Sequence, residues 1–184
     1  MQRPVEYENL IQRRALEQVS PTPGAVGGFV RNAEAFLALA KTLLAGAPVK
    51  THPMQIFTNA YEGYHQVVQA VLEHYEVRTK EAGRAMAIAR VSADLQLSTP
   101  EMSAVLRAHE RRNDTCYRSP LPPLSKAEAS TMVTILEKYL PAARALTGEG
   151  ACQSRLTNDY EAPRGLVLHP DSGALSAVGT QRSR

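Results

Sequence analysis

The chain has 184 residues, 43% of them hydrophobic and 5% aromatic, no Trp, and a formal net charge of +3. That size and apolar content suit one compact domain with a real core, and no apolar run approaches the length of a membrane-spanning helix. Two cysteines, Cys116 and Cys152, are too few for a disulfide framework and fit no metal-ligand spacing, while the mild basicity permits nucleic-acid contact without demanding it. Met1-Gln2-Arg3-Pro4-Val5-Glu6 begins no signal-peptide pattern, so a reduced cytoplasmic setting away from membranes is the expectation.

Residues 4–19 read as a short amphipathic helix on Val5, Leu10, Ile11, Leu16 and Val19, with Arg13 and Arg14 outside. Pro21, Pro23 and Gly24 break it, which makes residues 1–23 an arm that packs on the domain or reaches a partner. A second helix runs from Gly27-Gly28 to about Ala45 on a stripe of Phe29, Ala33, Phe36, Leu37, Ala40, Leu43 and Leu44. Gly46 and Pro48 stop it.

The third helix starts near Thr51 with Pro53 in its first turn and carries the strongest apolar stripe, from Phe57 through Tyr75. It is expected to be the centre of a bundle, with Tyr61 and Tyr64 in the core and their hydroxyls reaching the rim. Residues 79–97 read as a weaker Ala-rich helix whose Arg78, Lys80, Arg84 and Arg90 form a solvated surface. Ser98-Thr99-Pro100-Glu101 is a helix start with a capping pattern, and so is Ser125-Lys126-Ala127-Glu128. The stiff connector Ser119-Pro120-Leu121-Pro122-Pro123 separates these two helices. The last helix buries Met132 through Leu146, and Pro141 is expected to kink it. Residues 149–184 show no lasting period and read as a largely disordered tail, with as many acidic as basic side chains. The fold class is therefore all-α: an up-and-down antiparallel bundle of about five helices plus the short N-terminal one, over residues 24–148.

The chemistry is concentrated at the end of the fifth helix. Its apolar stripe opens on Met102, Val105 and Leu106, then continues as His109, Arg112, Asn113, Cys116 and Tyr117. A face that should bury apolar groups becomes imidazole, guanidinium, amide and phenol. A buried guanidinium needs a partner or an anion, so this face pairs internally, meets a phosphate-like ligand or docks a second chain. The structural alternative has Arg112 pairing with Glu110, Asp114 or another acid, Asn113 and Tyr117 bonding backbone, and Cys116 as a small buried hydrophobe. No Gly-rich phosphate loop, His-Glu-x-x-His, Cys-x-x-Cys or Gly-x-Ser-x-Gly occurs, and His52, His65, His74, His109 and His169 are scattered; neither metal nor cofactor is expected.

Asn59-Ala60-Tyr61-Glu62-Gly63-Tyr64-His65 on a long helix, with Ala70-Val71-Leu72 beyond it, resembles the second-helix pattern of HEPN domains. Arg111-Arg112-Asn113-Asp114-Thr115-Cys116-Tyr117, followed by a Pro-rich turn and Ser125-x-x-Glu128, is similar to their later motif; the likeness covers roughly residues 27–147. The resemblance implies an all-helical bundle that pairs into homodimers. Many such domains are metal-independent ribonucleases, often toxins in toxin–antitoxin or phage-defence systems, while others bind RNA or nucleotides, or serve as scaffolds. It also implies an antitoxin or nucleotidyltransferase as partner. The ribonuclease members carry an Arg, a polar residue and then a His. Arg112 and Asn113 match the first two, but Tyr117 stands five positions after Arg112 and no His follows before His169. A phenol of ordinary pKa, about 10, is a poor base at neutral pH, and His109, one turn before Arg112, is the substitute. The candidate catalytic residues are thus Arg112, Asn113, His109 and Tyr117, and the candidate ligand-binding residues Arg111, Arg118, Tyr61 and His65. The expected function is binding of RNA, nucleotide or a partner protein; the alternatives are an active ribonuclease toxin and a structural dimerisation domain using the third and fifth helices.

Overall fold

In the computed structural model the described residues are 3–46, 51–80, 83–117 and 124–149, with side chains described for all of these except 115–117. They form six helices and one two-stranded sheet: α1 (Val5–Gln12), β1 (Leu16–Gln18), α2 (Ala25–Leu44), α3 (Pro53–His74), β2 (Val77–Thr79), α4 (Arg84–Asp94), α5 (Thr99–Tyr117) and α6 (Lys126–Thr147). The all-α bundle expected from periodicity is what the chain adopts. The expected disordered tail and the Pro-rich connector lie outside the described residues, apart from Glu149.

α3 is the central element. His52 caps it, its Nδ1 accepting from Met54 N at 3.2 Å, and Pro53 occupies the first turn, where no N–H is required. Phe57, Ala60, Tyr61, Tyr64, Val67, Val68, Val71 and Leu72 are all buried along it. α2 and α6 pack against one side of α3, with α4 and α5 against the other. Gly63 allows the closest approach: a Cβ there would lie 2.5 Å from Leu136 Cδ2 and 3.0 Å from Phe36 Cβ. This glycine is thus required by space, at the point where three helices meet.

The two capping patterns form as read. Ser98 N and Oγ donate to Glu101, and the Ser125–Glu128 capping box is complete. Glu101 also accepts from Lys138 Nζ at 2.7 Å and Tyr139 Oη at 2.6 Å, which ties the start of α5 to α6.

Two readings are corrected. Residues 4–19 are not one helix: α1 ends at Gln12, Arg14 turns the chain at φ 58°, and Leu16–Gln18 pairs antiparallel with Val77–Thr79 in the register Leu16↔Thr79, Glu17↔Arg78, Gln18↔Val77. For the same reason α4 begins at Arg84 and not at residue 79. Local periodicity cannot report a strand whose hydrogen-bond partner is some sixty residues distant. α6 stays helical from Lys126 to Thr147, with Pro141 on its exposed side. Of the two fates considered for the N-terminal arm, packing on the domain is observed. Tyr7 is fully buried, donates to Asp94 Oδ2 at 2.6 Å, and lies under the Arg90 guanidinium.

Gly63→Ala inserts a methyl group into a crossing already at contact distance. It should cost about 1–3 kcal/mol of stability, read as a lower urea midpoint with unchanged slope; an unchanged midpoint would show that the helices separate freely there.

Candidate functional site

Among the described residues, Ser92 and His109 are the polar side chains in the buried class, and each binds a tyrosine of α3. Tyr64 Oη and Ser92 Oγ are 2.7 Å apart, and both side chains are enclosed. Tyr61 Oη lies 2.8 Å from His109 Nδ1, with His109 7% exposed. The rim position expected for the tyrosine hydroxyls is therefore corrected: both are internal hydrogen-bonding groups, because their ring positions on α3 face α4 and α5.

The Tyr61 end is the more elaborate. The Tyr61 ring lies between two imidazoles, with centroids 6.3 Å from His65 and 6.2 Å from His109 at interplanar angles of 20° and 27°. Asn113 Nδ2 is 3.3 Å from His109 Nε2. Arg112 Nε donates to Glu62 Oε1 on α3 at 3.2 Å, and both side chains are roughly three-quarters buried, at 27% and 26% exposure. His65 also contacts Gln69 Nε2 at 3.3 Å. α3 thus supplies Tyr61, Glu62 and His65 within five consecutive positions, and α5 supplies His109, Arg112 and Asn113 from its facing turn.

The charges that bear on this junction are the guanidinium groups of Arg84 and Arg112 and the carboxylates of Glu62 and, at His109, Glu110. Arg84, in the first turn of α4, makes no ion pair among the described residues and bears on Tyr61, His65 and His109 together. Burial, then the Arg84 guanidinium, push His65 down to about 4, with Arg112 and His109 acting in the same direction and Glu62 opposing. Burial, Arg84 and Arg112 lower His109 as well. Burial and Glu62 raise the Tyr61 phenol to about 12. Both imidazoles are therefore neutral at physiological pH. A neutral imidazole has one donor and one acceptor nitrogen. With the Asn113 amide donating to Nε2, Nδ1 carries the ring proton and donates to Tyr61 Oη, whose own hydrogen is left for another acceptor. With the amide turned over, the phenol donates to Nδ1 and Nε2–H meets Asn113 Oδ1.

The structure brings together five of the eight residues singled out from sequence: Tyr61, His65, His109, Arg112 and Asn113. Arg111 lies on another flank of α5, 3.1 Å from Glu128 Oε1. Tyr117 ends α5 but its side chain is not among those described, and Arg118 lies outside the described residues. Arg112 does pair with an acid, and Glu62 on α3 is a partner. Asn113 meets an imidazole rather than the backbone. Arg84 and Glu62 were missed. Arg84 had been placed on a solvated surface because α4 carries several basic residues. Arg78 does remain exposed, but Arg84 starts the helix and its charge bears on Tyr61, His65 and His109. The one available signal was Glu62, an acid in the middle of the residues Tyr61 to His65.

Among the described residues, no group of three or more His, Cys, Asp or Glu side chains is placed to hold a metal ion, and no helix is long and apolar enough to cross a membrane.

The depressed His65 pKa makes folding pH-dependent with a definite sign. From pH 6.5 down to about 4 the unfolded chain holds a proton that the folded chain refuses, so stability falls across that window and levels off below it. His65→Gln should flatten this part of the profile in urea denaturation, and the His65 ring resonance of the parent should titrate near pH 4 in the NMR spectrum. A His65 that titrates at the ordinary value would refute the enclosed, cation-flanked setting.

Comparison with protein-family models finds no match to this chain, and no curated protein matches it.

Proposed function

We propose that this chain is a HEPN-like helical module that binds the phosphate of RNA or a nucleotide at the α3–α4–α5 junction, and that it binds without turnover. One observation carries the reading: guanidinium groups from two different helices, Arg84 and Arg112, bear on the same Tyr61–His65–His109 cluster, with Glu62 as the acid paired there. An arriving phosphate relieves the repulsion between these cations and replaces Glu62 as the partner of Arg112. Guanidinium groups suit this because their planar donor array matches phosphate oxygens in pairs. The half-buried Asn113 amide supplies a neutral donor beside them.

Support for binding over cleavage comes from the imidazole. His109 has both ring nitrogens engaged, by Tyr61 and Asn113, and little exposure. A general base needs a free nitrogen within reach of the 2′-hydroxyl proton. Its lowered pKa also keeps it from delivering a proton to a leaving group near neutrality. The resemblance to HEPN domains in the Arg112-Asn113 pair, on the helix facing Tyr61, adds the nucleic-acid context, and a defence or stress role follows from that resemblance alone.

A fluorescently labelled single-stranded RNA tests the proposal. Affinity should fall steeply with salt, and Arg84→Ala should lower the slope of log K against log salt by about one contact, roughly 0.7 for a single strand. Arg84 is the informative position because its removal strands no carboxylate, whereas Arg112→Ala leaves Glu62 unpaired. The RNA should remain intact. Cleavage that persists in chelator and vanishes in Arg112→Ala would replace this reading with the ribonuclease one, and salt-insensitive or absent binding would end it.

A further inference from the structure

On another flank of α5 from the Tyr61 cluster, side chains of α3, α5 and α6 line a cavity of about 420 Å³. That volume lies in the range that accommodates a small organic ligand. Phe57, Ala104, Ala108 and Met132 make an apolar floor. Arg107 and Arg111, one turn apart, stand on the α5 wall, and Glu128 stands on the α6 wall. Arg111 Nη2 is 3.1 Å from Glu128 Oε1. The Glu128 carboxyl is held below its usual range first by Ser125 at the helix cap and then by Arg111 and Arg107.

We propose that this cavity binds a small organic monoanion, an aromatic or branched aliphatic body carrying one carboxylate or sulfonate, with its head group on Arg107 and Arg111 and its body over Phe57 and Met132. The lining sets the charge of the ligand. A head group seated on Arg107 and Arg111 engages both guanidinium groups of the lining, and beside Glu110, Asp114 and Glu128 a second negative charge finds no cation left to meet it, which disfavours a multiply charged anion such as a nucleoside triphosphate. Glu128 Oε1 holds the head-group position and acts as an internal competitor. The ligand displaces it from Arg111, while Glu128 Oε2 keeps its 2.9 Å contacts with Ser125 N and Oγ, so the α6 cap survives occupancy. This site is separate from the phosphate site proposed above and stands or falls independently of it.

Anilinonaphthalene sulfonate is a suitable probe: one sulfonate on an aromatic body, with fluorescence that reports transfer from water to an apolar site. Titration of the full chain should show one saturable site. Uncharged phenylnaphthylamine should bind about tenfold more weakly, and Arg107→Ala should weaken sulfonate binding about tenfold, as expected for loss of one charge-assisted contact. Glu128→Gln should tighten it, because Gln still serves a capping box but no longer competes as an anion. Ala104→Phe, which fills the cavity from its partly exposed wall, should abolish binding while the helical circular dichroism stays unchanged. Sulfonate binding that ignores both Arg107→Ala and Glu128→Gln, or that survives Ala104→Phe, would overturn the proposal, as would the absence of a saturable site.

Discussion

Two tyrosine hydroxyls on α3 organise the half of the molecule that carries the candidate site. Tyr61 and Tyr64 are one turn apart on the most buried helix, and each presents a polar atom to an interior that tolerates none unpaired. Ser92 satisfies one from α4 and His109 satisfies the other from α5. Each bond adds only about 1 kcal/mol net, but leaving a buried partner unpaired costs about 1–3 kcal/mol. Apolar packing alone would allow α4 and α5 to rotate or slide on α3 at modest cost. The directional bonds remove that freedom, so the rotation of α5 that puts His109 against Tyr61 also turns Arg112 toward Glu62 and Asn113 toward the imidazole.

The two bonds differ in surroundings, and that difference separates scaffold from site. Tyr64 and Ser92 form a neutral, closed pair with nothing further to exchange. Tyr61 and His109 are bordered by two guanidinium groups, a second imidazole and an amide, with Glu62 and Glu110 acting against the cations. Burial, reinforced by the cations, holds both imidazoles neutral, and neutral imidazoles in turn limit the repulsion that the arginines experience. An anion at this junction would change the charge state of everything around it. The phosphate site proposed above draws on that sensitivity.

α5 accordingly works on two flanks. One places His109, Arg112 and Asn113 on α3. The other places Arg107 and Arg111 beside α6, over an apolar floor that continues the core. The helical repeat of 3.6 residues makes this possible: neighbouring arginines at 111 and 112 are about 100° apart around the axis and serve different surfaces. A run of basic residues in a sequence therefore need not be a single electrostatic feature.

The sequence by itself determined the helices and their order. The stripe from Phe57 to Tyr75, the caps at Ser98 and Ser125, and the change from apolar to polar side chains after Leu106 are local patterns, set by interactions within a few residues of one another. It also marked His109, Arg112, Asn113, Tyr61 and His65, because polar groups on a face that should be buried stand out without knowledge of any partner. Tertiary structure alone decided which of them meet. Glu62 as the partner of Arg112, Arg84 as the second guanidinium, and the pairing of Leu16–Gln18 with Val77–Thr79 all join positions about twenty to sixty residues apart. Such contacts depend on how helices rotate and cross, which is set by three-dimensional packing and by the need to satisfy buried polar atoms, and neither has a period that can be read along the chain.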